Sequence, residues 1–326
     1  MIHRRPLLTC LAASTLLLAA PALQAQGAVR QEPLKLIVGY PAGGSADAVA
    51  RMLADKLKDE LNTTVIVDNR PGAGGAIAAE YVKNAPADGH TILVANTHML
   101  VMIPLTFKAV RYDPLKDFQP VGRVSSFYVA IAVPSAMPAT TVAQWIDLAR
   151  ANKKDSSFGV PAAGSISQFI GYRLGKDAGA DMLPVPYRGS APLVQDLLGG
   201  QIAAGIVPIA DVAAHHQAGK LRVLAVNGAR RSDLLPSVPT LAENGLRQFD
   251  ALECVGLFAP PATPRATLQP LQAALARVLA TNDIKAGLAK IGMQSDPATP
   301  DELGKLIADE LAKWGPVVKA SGFTAD

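Results

Sequence analysis

The alternation of short apolar runs with longer amphipathic stretches is what most constrains this chain. LKLIVGY (34–40), TTVIVDN (63–69) and HTILVAN (90–96) are each one strand long and strongly apolar. Between the first two, Ser45 to Leu61 places Val49, Met52, Leu53, Leu57 and Leu61 at helical spacing. Between the second and third, Gly75 to Ala85 reads as a helix ended by Pro86 and the Asp-Gly turn at 88–89. Strands this apolar, alternating with helices, predict a parallel sheet with right-handed crossovers.

The pattern then restarts. FYVAIAVP (127–134), SSFGVP (156–161), MLPVPY (182–187), IAAGIVP (202–208) and GKLRVLAVN (219–227) read as strands. Helices are expected from Thr140 or Thr141 to Asn152, from Ser165 onward, and from Ala191 to Gly199. ECVGLFAP (253–260) supplies one more strand, followed by helices at roughly 264–281 and 300–319. A chain of 326 residues with 49% hydrophobic content is long and apolar enough for two cores. We therefore expect an α/β protein of two lobes, each a mainly parallel sheet flanked by helices, facing each other over a cleft. Residues 26–126 and 251–326 would form the first lobe, and 127–250 the second.

Residues 1–25 stand apart as an expected signal peptide. Arg4 and Arg5 form a basic start, Leu7 to Ala20 an apolar run, and Pro21 opens the small-residue stretch AAPALQAQ. Cleavage is expected after Ala25, with Ala22 as the second choice; the arginine pair leaves both the general and the twin-arginine export routes open. The run is too short to span a bilayer, and no later stretch reaches about 18 uninterrupted apolar residues. Cys10 lies too early in the run for a lipoprotein site, so Cys254 is the one cysteine left after cleavage. That excludes an internal disulfide and a cysteine-based metal site. Loss of Arg4 and Arg5 takes the formal charge from +4 to +2 (4 − 2). A nearly neutral chain with 5% aromatic residues lacks the basic, stacking surface that nucleic acid requires. Export places the mature chain in the periplasm of a diderm host.

One motif occurs twice. GYPAGGS (39–45) and GVPAAGS (159–165) share Gly-x-Pro-Ala-x-Gly-Ser, and each joins an expected strand to an expected helix. Ligands of open α/β sheets bind at such turns. Glycine lets the backbone approach a ligand closely, and Ser45 and Ser165 are the expected N-cap residues. The first turn of each helix leaves N–H donors free and carries a partial positive charge. Two such turns, one per lobe, predict a cleft that takes a small anion without a cationic side chain, plausibly a carboxylate with a second polar end. The competing reading is an ordinary Gly-Ser helix start. A third turn, NRPGAGGAIAAE (69–80), resembles a dinucleotide fingerprint, but Ile77 stands where Gly or Ala is needed. It would instead add backbone donors near Gly75 and Ala76.

Other chemistry is scarce. There is no phosphate loop and no Gly-x-Ser-x-Gly elbow. His215 and His216 are adjacent and cannot share a helix face as metal ligands; both are expected in solvent, as is His90. His98, just past a strand, is either a ligand donor or loop packing. Cys254 is expected buried. In PYRGSAP (186–192), Tyr187 joins the candidates, and Arg188 either meets a ligand or pairs with a surface carboxylate.

At these residues the chain resembles the solute-binding proteins of tripartite tricarboxylate transporters, the Bug receptors. The resemblance rests on YPAGGSADAVARMLA, VDNRPGAGGAIAAEYV, APADGHTILVAN, YDPLKDFQPVG, VPYRGSAPLVQDLLGGQI, AGKLRVLAV, LPSVPTLAENG and GLFAPPATP, which run from about residue 34 to 264. It implies a type II periplasmic-binding-protein fold, a monomer without metal or cofactor, and capture of a small organic acid for a membrane permease. It implies ligand contacts at Ala42, Gly43, Gly44 and Ser45, near Gly75 and Ala76, and at Ala163, Gly164, Ser165 and Ser167. Asp47 matches an acidic family position, where it would accept from a ligand amine or cap its own helix. Tyr40, His98, Tyr187 and Asp211 complete the candidate set.

The sequence departs from the family at Thr97, His98, Met99 and Leu100, where relatives are richer in small polar residues. A bulkier, more apolar pocket wall and a less polar acid are expected there. No enzyme signature is present; an exported hydrolase and a receptor for a signalling partner are the alternative readings.

Overall fold

The computed structural model describes residues 32–249 and 251–325, so the expected signal peptide lies outside the described residues. In chain order the strands are β1 (Leu34–Val38), β2 (Val65–Asn69), β3 (Thr91–Asn96), β4 (Gln119–Phe127), β5 (Val129–Pro134), β6 (Ser157–Val160), β7 (Leu183–Pro186), β8 (Ala204–Pro208), β9 (Leu221–Val226), β10 (Glu253–Ala259) and β11 (Gln294–Ala298). The helices are α1 (Ser45–Leu61), α2 (Ala76–Lys83), α3 (Ile103–Thr106), α4 (Val142–Ala151), α5 (Ile166–Ala178), α6 (Ser190–Leu198), α7 (Ala210–Gln217), α8 (Arg265–Ala280), α9 (Asn282–Lys290) and α10 (Pro300–Ser321).

Two sheets form, ordered β11-β4-β10-β3-β1-β2 and β7-β6-β8-β5-β9. In the first, β1 pairs parallel with β2 and β3, and β10 runs antiparallel to both β3 and β4. In the second, β6 pairs parallel with β7 and β8, and β5 runs antiparallel to both β8 and β9. Apart from β11, the two orders are the same, with β6 in the place of β1. Leaving aside β11, which pairs antiparallel with β4 at one edge of the first sheet, a single reversed strand sits inside each otherwise co-directional sheet. It comes from the far side of the chain, since β10 follows the whole second sheet and β5 precedes its other strands. The chain thus passes between sheets twice. Asn227, 1% exposed, ties these passages together. Its Oδ1 accepts from Val129 N at 2.7 Å, and its Nδ2 donates to Ala251 O at 2.9 Å.

Local chemistry sets the elements. Helix α1 buries Val49, Leu53 and Leu57 at helical spacing and ends on Asn62 in the left-handed region. Thr141 caps α4 by accepting from Gln144 N, and Thr299 with Glu302 forms a capping box on α10. Strand β7 is exposed along its length, and Pro184 and Pro186 remove N–H donors from that edge. Strands β4 and β11 and helices α3, α7 and α9 are not expected from the sequence. β4 hides Ser125 and Ser126, and β11 is QSDPA, so neither shows the apolar alternation of a strand.

One apolar core fills the outer face of the first sheet and another that of the second, while a third joins parts of both. The joining core runs through α5 and α10. Phe169 meets Phe323 edge-on at 5.8 Å, the Tyr172 hydroxyl donates to Ala320 O at 2.8 Å, and Ala325 N donates to Thr106 O at 2.9 Å.

Within the joining core, Phe158 is fully buried against Gly171 of α5. A Cβ on Gly171 would lie 2.2 Å from the Phe158 ring. Gly171→Ala should therefore cost about 1–3 kcal/mol of stability by overpacking, despite alanine's better helix propensity. Urea denaturation checks this; an unchanged or raised midpoint would mean that the ring has room to move.

Candidate functional site

Both copies of the repeated motif fall at equivalent places, the first after β1 and the second after β6. In the first, Gly43 adopts φ +87° and Gly44, not the expected Ser45, caps α1, since Ser45 is already the first helical residue. The Gly44 carbonyl accepts from Ala48 N at 2.9 Å, so the amides of Ser45, Ala46 and Asp47 have no partner inside the helix. Ala42, Gly43, Gly44 and Ser45 are exposed. In the second, Gly164 adopts φ +72° and Ser165 caps α5 without bonding the helix amides. The Ser165 hydroxyl instead donates to Ala162 O at 2.7 Å, and Gly164 N donates to Gln168 Oε1 at 2.9 Å. Ala163 is exposed, whereas Gly164, Ser165 and Ser167 are buried.

The first turn is held by side chains from the neighbouring strand ends. Asp47 Oδ2 accepts from Gly43 N at 2.9 Å and from Arg51 Nε at 2.8 Å, and its Oδ1 accepts from Asn69 Nδ2 at 3.0 Å. Asn69 Nδ2 also donates to Tyr40 O at 3.1 Å. The Tyr40 hydroxyl reaches Asn96 Oδ1 at 2.9 Å and Gly74 O at 3.3 Å. Asn96 Oδ1 accepts in turn from Met99 N at 3.0 Å. The Arg51 bond, joined by those from Gly43 and Asn69, holds the Asp47 carboxyl down to about 2. Asp47 is thus an ionised latch with both oxygens occupied; of its two expected roles, the structure gives it the local one.

The turns also touch directly. A Cβ on Gly39 would lie 2.7 Å from Gly75 Cα, and one on Gly75 would lie 2.4 Å from the Met99 methyl. Glycine is required at both positions by this approach. His98 follows β3, with its Nε2 3.6 Å from a Cβ position on Gly74. Burial pushes the His98 imidazole down to about 4, so it is neutral at neutral pH and can donate or accept. The first lobe therefore gathers Tyr40, the motif turn, the glycine turn and His98.

Two expectations need correction. The amides of Gly75 and Ala76 are not free donors: Gly75 N donates to Gly72 O at 2.9 Å, and Ala76 N to Ala73 O. The amides of Ala73 and Gly74 are the unoccupied ones of this tight turn. Nor do Met99 and Leu100 form a pocket wall, since both are fully buried. Of that run His98 alone stays half-buried, so Met99 and Leu100 give no support to a less polar acid.

In the second lobe, Tyr187 follows β7 and donates its hydroxyl to Asp196 Oδ2 at 2.8 Å. Desolvation and the Asp196 carboxylate push it up to about 12. Asp211 lies in the first turn of α7, after β8, and bonds Ser190 at the start of α6; desolvation raises its carboxyl against that bond. Thus Ser165, Tyr187 and Asp211 end three adjacent strands, as their first-lobe counterparts do. The two groups are linked through Gly164, where a Cβ would meet the Phe323 ring at 3.2 Å and Thr106 Oγ1 at 3.3 Å.

Sequence reasoning missed Asn69, Asn96, Thr106 and Glu253, and Thr97, expected in a pocket wall, is buried. The two asparagines each close an apolar strand, VIVDN and ILVAN, and that shared position was the available signal. The remaining histidines take no part, although His216 is anchored by accepting from Val223 N at 3.1 Å. Arg188 is exposed, and Cys254 is buried with its thiol pushed up by desolvation. Glu32, Asp88 and His90 place ligand-type atoms within 4.8 Å of one another, at the opposite edge of the first sheet from the turns. A cavity of about 500 Å³ between β4, α8, β11 and α10 contains none of the candidates.

Comparison with known proteins gives a consistent picture. Residues 49–323 match the family described as Tripartite tricarboxylate transporter family receptor. Protein BugT of Bordetella pertussis is 33% identical over 291 residues, covering 89% of each chain. An R. palustris protein solved with adipate is 30% identical with a TM-score of 0.76, covering 90% of this chain and 98% of its own. MatC from Rhodopseudomonas palustris with bound malate is 27% identical with a TM-score of 0.73, covering 88% and 98%.

The latch role of Asp47 yields a stability prediction. Asp47→Ala should cost about 1–3 kcal/mol at pH 7, since it leaves Gly43 N without its acceptor and removes the Arg51 ion pair and one of the two acceptors of Asn69 Nδ2. Because the folded carboxyl titrates below its unfolded value of about 3.9, the latch contributes fully above that pH. Its contribution is lost as pH falls toward about 2. Acid titration of both proteins should show wild type losing more stability than the variant between pH 4 and 2; equal losses would remove the latch.

Proposed function

The chain belongs to the tripartite tricarboxylate transporter receptor family, and on that premise we propose that it captures a small organic acid between its two lobes. The observation that carries this reading is the repeated Gly-x-Pro-Ala-x-Gly-Ser turn at equivalent strand ends of two equivalent sheets. Each copy offers helix-start amides and a positive dipole end, and neither brings a cation. An anion with a polar group at each end matches two such turns. The relatives solved with malate and adipate, both dicarboxylates, support this class.

In this reading the first lobe, residues 26–126 and 251–326, supplies Ala42, Gly43, Gly44, Ser45, Ala73, Gly74 and His98. The second lobe, residues 127–250, supplies Ala163, Gly164, Ser165 and Ser167. Tyr40 and Asp47 hold the first turn in shape, while Tyr187 and Asp211 border the second. A neutral His98 adds a directional hydrogen bond without excess positive charge. The family reading extends to export through residues 1–25, a monomer in the periplasm, and delivery of the acid to membrane permease subunits. Binding by backbone amides suits a carrier, because affinity must allow release to the permease. Nothing in the site pairs a nucleophile with a base, so no turnover is expected.

The test is a thermal-shift screen of the mature protein against mono-, di- and tricarboxylates, aromatic acids, amino acids and neutral sugars. One class of acids should raise the melting temperature, with stabilisation of about 2.7 kcal/mol at a hundredfold excess over Kd. A response to sugars alone would overturn the reading. Ser165→Ala should weaken that acid by roughly 0.5–1.5 kcal/mol, because the hydroxyl must turn from Ala162 O toward the ligand. Unchanged affinity by calorimetry would take Ser165 out of the site.

A further inference from the structure

Glu253 is a buried acid that the capture site does not account for. It begins β10, where the chain re-enters the first sheet, and is 3% exposed. Its Oε2 accepts from the Thr97 hydroxyl at 2.6 Å. That hydroxyl accepts from Cys254 N at 3.3 Å, so its hydrogen is directed to Glu253. The other oxygen, Oε1, is buried and has no hydrogen-bond partner. A buried carboxylate with half its acceptors unmet and no counter-charge is unusual and costly.

The groups around it come from each neighbouring element. Thr97 and the neutral His98 lie at the end of β3, directly after Asn96. The Tyr40 hydroxyl, on the first motif turn, feels the charge of Glu253, which adds to the desolvation raising it. From α10 comes Glu310, also 3% exposed, whose oxygens accept from Lys313 Nζ at 2.6 Å and Trp314 Nε1 at 2.9 Å. On β10 itself is the neutral Cys254 thiol; Arg123 of β4 acts on that thiol and is paired with Asp296. Opposite Glu253 on β4 is Phe127. Among the described residues no cation forms an ion pair with Glu253. The charged neighbour that acts on it is therefore another carboxylate.

We propose that Glu253 couples capture of an organic anion to uptake of one proton. This inference rests on the acid-capture reading above. Thr97 bonds Glu253 and lies in the chain between Asn96 and His98, and the Tyr40 hydroxyl feels the charge of Glu253, so a bound carboxylate brings a further negative charge toward an acid with no cation of its own. The proton, taken from the buffer, is the one available neutraliser. Burial and the Glu310 charge, opposed by the Thr97 bond, already place the Glu253 carboxyl at about 7 in the free protein. Anion binding raises it further, and by linkage protonation strengthens binding to the same degree. His98 titrates near 4 and a carboxylic ligand lower than 6, so neither changes charge between pH 6 and 8.5.

The experiment is calorimetry of the mature protein with adipate and with malate at pH 6, 7 and 8.5, in two buffers of different ionisation enthalpy, repeated on Glu253→Gln. The expected wild-type result is net proton uptake near pH 7 and a Kd about five- to tenfold larger at pH 8.5 than at pH 6. Glu253→Gln, a neutral isostere, should bind with the pH 6 affinity throughout and take up no proton. A wild-type Kd that is flat with pH, or uptake that survives in the variant, overturns the coupling while leaving acid capture intact. Where neither acid binds, the same titration is run with the acid that gives the largest thermal shift in the screen above, and absence of a shift with every acid of that screen overturns both. A ligand-free readout separates the two ideas. Because the folded acid titrates above its unfolded value, its stability contribution is present at low pH and is lost as pH rises from about 4.3 through about 7. Wild type should therefore lose melting temperature over that window relative to Glu253→Gln, and parallel curves would overturn the raised acid itself.

Discussion

The latch on Asp47 is the constraint on which the first turn depends. A backbone that must expose amides to an anion cannot hold itself by those same amides. Side chains have to do it from behind, and Asn69, Asn96, Tyr40 and Arg51 fill that role. Each asparagine closes a strand, so the sheet's geometry fixes where its amide sits. The turn is thereby positioned by three parallel strands, while its outward donors stay unoccupied. If the turn takes an anion as proposed, a free carboxylate so close to it would be repulsive. Arg51 and two N–H donors largely offset its charge, which is why acid can sit at the start of α1 without opposing capture.

The two lobes are alike in order and unlike in finish. Each places its motif at an equivalent position of a matching sheet, with one interior reversed strand contributed from across the chain; the first sheet adds the reversed edge strand β11. Yet the first turn is open, and the second is partly covered by Thr106 and Phe323. The tail beyond α10 and the short α3 thus form an apolar bridge on one flank of the lobes. Asn227 forms a polar bridge between the two chain passages. Any motion of one lobe on the other must respect both, which favours rotation about the crossings over free separation. Glu253 starts the strand that follows the second crossing, so its protonation state is placed where ligand charge and lobe arrangement meet.

The glycines show how local and distant requirements divide. Gly43 needs its positive φ but has open space around its missing Cβ. Gly39 has an ordinary φ and no space, because Gly75 and Met99 press against it. Both are written as glycine in one heptapeptide, and the sequence cannot say which reason applies. The same limit explains the misreading of Gly75 and Ala76 as donors. A glycine-rich turn promises free amides, but a tight 3₁₀ turn closes two of them on itself.

The sequence by itself determined the alternation of strands and helices, the two-lobed α/β class and the paired turns, because periodicity and turn residues act over a few positions. Helix α1 runs over the span that its apolar spacing and Ser45 indicated. The sequence also pointed to an anion site without cations, since helix-start chemistry is local. Only the tertiary structure decided which side chains hold those turns and which amides remain open. Asn69 and Asn96 look like loop residues until β1, β2 and β3 lie side by side. Met99 looks like a pocket wall until it packs under Gly39 and Gly75. Glu253 looks like a surface acid preceding an apolar strand until β10 inserts between β3 and β4 and buries it. The physical reason is common to all three. Burial and hydrogen-bond partnership are set by contacts between residues tens to hundreds of positions apart, and no local pattern records them.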